Sequence, residues 1–208
     1  MTRASRAALL GGIYVIVNEG ADPVGLAGAA LAGGARVIQY RAKRGLDRGN
    51  ATALRASTRR HGALLVINDD WRGALDYQAD GVHLGPADAP PESLAAIRRA
   101  LPECVIGLSC GTADEARLAA VVGADYIGAG SVYPTASKPD AGAPIGVAGL
   151  GEVVAATGLP VAAIGGITRE RIAEIRAAGA AMAAVISAVA QRADPAAATR
   201  ELVLAWNA

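Results

Sequence analysis

Eight short runs rich in Val and Ile recur along the chain. Each is followed by a Gly or polar loop and then by a longer Ala/Leu stretch carrying arginines. That repeat predicts an α/β fold, a single (β/α)8 TIM barrel with a parallel, closed, eight-stranded sheet. Two further observations favour it. The 208 residues include no Phe and only 3% aromatics, so the core is aliphatic, as buried parallel strands under helices require. No strand candidate shows the alternating polarity of an edge, which an open doubly wound sheet would need. No linker or composition shift divides the chain, so 1–208 reads as one barrel domain with 1–11 as an N-terminal extension.

The strands are expected at Ile13–Val17, Arg36–Tyr40, Leu64–Asn68, Gly81–Leu84, Val105–Ser109, Tyr126–Ala129, Val161–Ile164 and Ala183–Ile186. The helices that follow them are expected at Val24–Leu31, Asn50–Arg60, Trp71–Tyr77, Glu92–Leu101, Thr112–Val122, Val147–Thr157, Arg169–Ala178 and Pro195–Trp206. Thr112 with Glu115 has the spacing of a capping box. Gly34, Gly62, Gly123, Gly158 and Gly179 stand where helices should stop. Thr168 suits an N-cap, and Pro195 after Asp194 suits a first helical turn.

A net charge of +1 leaves no electrostatic footprint for nucleic acid or for an acidic membrane surface. The apolar run Ala7 to Leu10 is too short for a signal-peptide core, and no stretch approaches a membrane span. Cys104 and Cys110 flank one strand. Six extended residues hold them roughly 20 Å apart, beyond disulfide reach, which suits a reducing cytosol. A cytoplasmic location is the expectation, and a homo-oligomer stays open.

In this fold function sits on the loops leaving the C-terminal strand ends, and the unusual polar residues fall there. Strand two ends Gln39-Tyr40-Arg41-Ala42-Lys43. Alternation turns Gln39, Arg41 and Lys43 to one side: an amide and two cations suited to an amide-bearing ring and a diphosphate. Strand three ends Asn68-Asp69-Asp70. One aspartate is expected to cap the next helix and the other to bind Mg²⁺, with Asp88 at the neighbouring strand end as a second carboxylate. Strand five ends in Ser109. The longest loop, 130–146, carries Thr135, Ser137 and Lys138 and reads as a mobile lid with an oxyanion grip. Gly165-Gly166 after strand seven and Ile186-Ser187 after strand eight suit a phosphate cup. His83 reads as a core residue without chemistry, and His61, Trp71 and Trp206 as packing or surface residues.

Together these motifs resemble the thiamine-phosphate synthase (thiamine-phosphate pyrophosphorylase) family. The resemblance is carried by Gln39–Lys43, Ile67-Asn68-Asp69, Gly81-Val82-His83-Leu84-Gly85 with Asp88, and Ile106-Gly107-Leu108-Ser109. It continues through Gly123-Ala124-Asp125-Tyr126-Ile127-Gly128, Tyr133–Lys138, Ala163-Ile164-Gly165-Gly166-Ile167 and Val185-Ile186-Ser187. It implies an enzyme, a transferase that joins hydroxymethylpyrimidine diphosphate to hydroxyethylthiazole phosphate and releases pyrophosphate. By resemblance Asp69 and Asp88 hold Mg²⁺, while Arg41, Lys43, Asn68 and Lys138 grip the diphosphate; Arg41, Lys43 and Lys138 are the catalytic cations. Gln39 and Ser109 contact the pyrimidine. Thr135, Ser137, Gly166, Ile186 and Ser187 receive the thiazole phosphate.

Three positions depart from the family pattern: Gly111 stands where His is usual, Asn18-Glu19 where Thr-Asp is common, and Ser137 where a second Thr is frequent. The nearest rival is a thiazole tautomerase-like isomerase on the same barrel, which tends to lose the diphosphate and metal residues and to use a His near strand five. This chain keeps the former and lacks the latter. A non-catalytic thiamine-precursor binding protein is a second rival. A third, an unrelated phosphate-binding aldolase or isomerase, would need a Lys on a strand or an internal acid–base pair. The only two lysines, Lys43 and Lys138, lie beyond strand ends.

Overall fold

The computed structural model describes residues 1–85, 91–137 and 142–208. Strands β1 (Gly12–Asn18), β2 (Val37–Arg41), β3 (Leu64–Asn68) and β4 (Gly81–Leu84) are followed by β5 (Val105–Cys110), β6 (Tyr126–Ala129), β7 (Val161–Ile164) and β8 (Met182–Val185). They pair in parallel in chain order, and β8 pairs with β1 to close the barrel. The helices are α1 (Arg3–Ala7), α2 (Pro23–Ala32), α3 (Arg48–Arg60), α4 (Trp71–Asp76), α5 (Pro91–Ala100), α6 (Ala113–Val121), α7 (Gly146–Ala155), α8 (Ile172–Ala177), α9 (Ser187–Ala190) and α10 (Pro195–Asn207).

Strand alternation sorts the apolar residues into two cores. Outward side chains such as Ile38, Tyr40, Leu65 and Ile67 pack under the helices, with Leu54, Leu150 and Leu202 from the helix side. Inward ones, among them Tyr14, Val37, Leu64, Val66, Val105 and Tyr126, fill the lumen. The lumen is a packed plug rather than a pore, so a ligand can reach only its C-terminal end.

The helix starts follow the local chemistry. Asp22, Asp47, Asp70 and Asp194 each accept a hydrogen bond from a first-turn N–H, and Thr112 with Glu115 closes a capping box. Gly34, Gly62, Gly123 and Gly179 take a left-handed conformation just past helix ends; Gly158 does not. Three local expectations are corrected. Thr168 makes no side-chain bond to the helix backbone; its hydroxyl goes to Glu170, holding that carboxyl below its ordinary value. The segment 169–178 is split into a 3-10 turn (Arg169–Arg171) and α8. Two short helices, α1 and α9, escape a periodicity reading because four or five residues span little more than one turn.

The N-terminal end of the barrel is closed by charge. Asp80, fully buried, accepts from Arg6 of α1 (3.0 Å), from Arg55 of α3 and from the Leu65 N–H (3.0 Å). Asp125 accepts from Arg3 and Arg98, both at 2.6 Å, and from the Ile106 N–H at 2.8 Å. Each carboxylate thereby ties the start of its own strand to the strand before it. The segment 1–11 contributes Arg3 and Arg6 to this lattice.

Candidate active site

The C-terminal strand ends surround one cavity of about 460 Å³. Gln39, Arg41 and Lys43 all line it, as their alternation requires. Asn68, Asp69 and Ser109 join them from β3 and β5, and Thr135, Ser137, Gly166, Ile186 and Ser187 from the opposite side. Asp88 and Lys138 lie outside the described residues.

The two aspartates after β3 take different positions, one at the helix start and one at the cavity. Asp70 Oδ1 accepts from Gly73 N at 2.8 Å and caps α4. Asp69 has φ +63°, a left-handed turn that Asp tolerates better than most residues. That turn sends its carboxylate to the cavity, where Oδ2 lies 2.5 Å from Lys43 Nζ. The loop bearing Lys43 is held from β1: the Glu19 carboxylate accepts from the N–H groups of Lys43 (3.1 Å) and Arg44 (3.3 Å). Glu19, noted in the sequence only as a departure, is thus a positioning group for that loop.

The floor of the cavity is polar and buried. Gln39, 3% exposed, donates through Nε2 to Tyr14 Oη at 2.7 Å. Tyr14 and Tyr126 hydroxyls meet at 3.1 Å. His83 Nδ1 lies 3.1 Å from Tyr126 Oη, and its Nε2 lies 3.1 Å from Ser109 Oγ. Burial pushes both phenols well above their ordinary value. The rings fit because two inward positions are glycine. A Cβ at Gly107 would stand 2.2 Å from the Tyr126 ring, and one at Gly128 would stand 3.0 Å from His83. His83 therefore lines the cavity, although the sequence reading assigned it no chemistry. The signal that could have found it is the pair of inward glycines beside it, Gly107 paired with it on β5 and Gly128 on β6.

The far wall is built by two loops locked together. Val132 N–H donates to Ile164 O at 2.8 Å and Tyr133 N–H to Gly165 O at 3.1 Å, so the start of the long loop continues the β6–β7 pairing past the strand ends. Gly165 (φ +100°) and Gly166 (φ +65°) pass beneath it. A Cβ on Gly166 would meet Pro134 O at 2.6 Å. Arg171 fixes the pair: its guanidinium sits 4.1 Å from the Tyr133 ring centroid and donates to Gly166 O at 2.5 Å. Burial, then the hydrogen bond to Glu174, pushes the Tyr133 phenol up to about 12. Thr135 Oγ1 accepts from Ser137 N–H at 3.2 Å, curling both hydroxyls over the cavity.

Among the described residues no cluster of three or more His, Cys, Asp or Glu could by itself hold a metal. A magnesium ion that takes its remaining oxygens from a bound diphosphate and water needs only one or two carboxylates. Asp69 beside the Asn68 amide meets that requirement.

Fold and site define a class: a (β/α)8 barrel with a cationic, glycine-lined C-terminal mouth. Within that class the chain belongs to the thiamine monophosphate synthase family, whose model matches residues 13–189. The chain is 51% identical over 195 residues to a thiamine biosynthesis bifunctional protein, ThiM/ThiE, of Symbiobacterium thermophilum. That match covers 92% of this chain and 40% of the relative, so the chain spans well under half of the bifunctional protein. It is 44% identical over 201 residues to the thiamine-phosphate synthase of Moorella thermoacetica, covering 91% and 93% of the two chains. A solved structure, thiamine phosphate pyrophosphorylase from Pyrococcus furiosus, superposes with a TM-score of 0.86 at 38% identity over 95% of this chain and 96% of that one.

Proposed function

We propose that this chain condenses hydroxymethylpyrimidine diphosphate with hydroxyethylthiazole phosphate to give thiamine phosphate and pyrophosphate. The observation that carries the reading is the single cavity shared by a cationic rim (Arg41, Lys43), an aspartate (Asp69) and a two-glycine cup (Gly165, Gly166). A substrate carrying a diphosphate at one end and a partner carrying a phosphate suit those opposed walls.

Arg41 and Lys43 neutralise charge on the departing diphosphate, with Asn68 adding a neutral amide. Gln39 and Ser109 orient the pyrimidine ring from the floor. Gly166, Ile186 and Ser187, with Thr135 and Ser137 above them, seat the thiazole phosphate so that the ring nitrogen meets the pyrimidine methylene. The nucleophile belongs to the substrate and is already competent, so the protein contributes positioning and charge neutralisation rather than a nucleophile of its own. Asp69, with Asp88 from the next strand end, would hold Mg²⁺, which supplies further neutralisation of the diphosphate when bound. Asp88 and Lys138 complete the reading as second metal ligand and lid cation.

The tautomerase-like alternative finds no support at residue 111, where the glycine has no side chain and its N–H is already donated to Glu115 Oε2 at 2.5 Å. Free, buried Cys104 and Cys110 suit a reducing cytoplasm. Among the described residues no helix is long and apolar enough to cross a membrane. Purified protein incubated with both substrates and Mg²⁺ is expected to release pyrophosphate and thiamine phosphate in equal amounts. A folded preparation that forms neither overturns the reading.

A further inference from the structure

Five side chains from five strands form one unbroken hydrogen-bonded chain across the cavity floor: Gln39 of β2, Tyr14 of β1, Tyr126 of β6, His83 of β4 and Ser109 of β5. A phenol carries one proton, and an imidazole with one proton has one donor and one acceptor nitrogen. With one proton on His83, the direction of one bond therefore sets the direction of all the others. With Gln39 Nε2 donating to Tyr14, Tyr14 donates to Tyr126 and Tyr126 donates to His83 Nδ1. The imidazole proton then rests on Nε2 and is donated to Ser109 Oγ. The two ends that remain for a ligand are the Gln39 carbonyl oxygen, an acceptor, and the Ser109 hydroxyl proton, a donor. Both residues line the cavity. Burial keeps the two phenols protonated well past neutrality, so the relay does not lose its protons in the working range.

We propose that Tyr14, Tyr126 and His83 are positioning residues that couple Gln39 to Ser109, so that the pair always offers one acceptor and one donor to the amino-bearing ring of a pyrimidine diphosphate. The identity of that ring rests on the proposed synthase reading; the coupling does not. An exocyclic amine donates to Gln39 Oε1, and an adjacent ring nitrogen accepts from Ser109. The fixed complement also disfavours a ring that presents two donors or two acceptors at those points, because meeting it would leave one end of the relay unpaired.

Nitrogen NMR of the imidazoles reads the coupling directly. The chain has two histidines, so a His61→Gln variant assigns the spectrum. Wild-type protein is expected to carry the His83 proton on Nε2. In Gln39→Glu at about pH 8 the carboxylate can only accept, Tyr14 must donate to it, and the His83 proton moves to Nδ1. Adding Tyr126→Phe cuts the relay, and the double variant then shows the tautomer of Tyr126→Phe alone. The proposal is overturned if Gln39→Glu leaves the tautomer unchanged, or if the change persists without the Tyr126 hydroxyl. Should Gln39→Glu fail to fold, an Nδ1 proton on His83 in wild-type protein overturns it by itself. A ligand arm adds a readout that structural damage would not mimic. Ser109→Ala is expected to weaken calorimetric binding of the pyrimidine diphosphate about tenfold in wild-type protein and less than about threefold in Gln39→Glu. If wild-type protein binds no pyrimidine diphosphate, the synthase reading falls, and the relay is then judged on the tautomer alone.

Discussion

Lys43 Nζ lies 2.5 Å from Asp69 Oδ2, joining the loop after β2 to the loop after β3 across the rim of the cavity. Their side chains are 54% and 24% exposed, so this pair contributes little to folding and keeps both charges where a diphosphate would arrive. Replacement of Asp69 by Asn suits the left-handed backbone at φ +63°. Asp69→Asn is expected to lower turnover at least about tenfold, while the melting temperature moves by less than about 4 °C. Full, chelator-insensitive activity in this variant would rule out Asp69 as a metal ligand.

Asp80 presents the opposite case. Its carboxylate is buried between two guanidinium groups, so its loss strands charge at the foot of the barrel. Asp80→Asn is expected to cost about 3–5 kcal/mol, a fall of roughly 10 °C in melting temperature, as buried pairs do when one partner is removed. The folded fraction at room temperature should keep its KM for both substrates, which steady-state kinetics would check.

Gly166 tests the far wall. Ala there is strained at φ +65°, and its Cβ would press on Pro134 O. Gly166→Ala is expected to raise KM for the thiazole phosphate about tenfold or more, leaving affinity for the pyrimidine diphosphate within about threefold. Equal effects on both substrates would show that the cup does not sort them.

Alkaline pH should destabilise the protein. Burial, and then the Glu115 charge, pushes the Cys110 thiol from 9.0 up to about 12, and burial raises the Tyr14 and Tyr126 phenols from 10.0. The unfolded chain releases these protons first, so stability is full below about pH 9 and declines as pH rises from there through about 12. Denaturant midpoints measured across that range should fall, and Cys110→Ala should fall less steeply than wild type.

Much of the site is legible because it depends on local rules. Period-two alternation alone aims Gln39, Arg41 and Lys43 into one cavity, and the Asp69/Asp70 division follows from the needs of a helix start. Which aspartate takes which task is set by the φ of Asp69, which no spacing reveals. His83 was missed for a different reason. Its partners Tyr126 and Ser109 are 43 and 26 residues away, and a strand histidine with no nearby polar neighbour looks inert until the barrel closes. The small helix at Ser187–Ala190 and the 3-10 turn at Arg169 lie below the length at which periodicity carries information. The expected roles of Asp88 and Lys138 fall outside the described residues.

The arginine lattice at the foot of the barrel has a consequence for how such a chain can change. Asp80 and Asp125, with Arg3, Arg6, Arg55 and Arg98, sit at the end of the barrel opposite the cavity mouth. Heat tolerance can therefore be tuned there, one guanidinium at a time, without disturbing where a substrate lands.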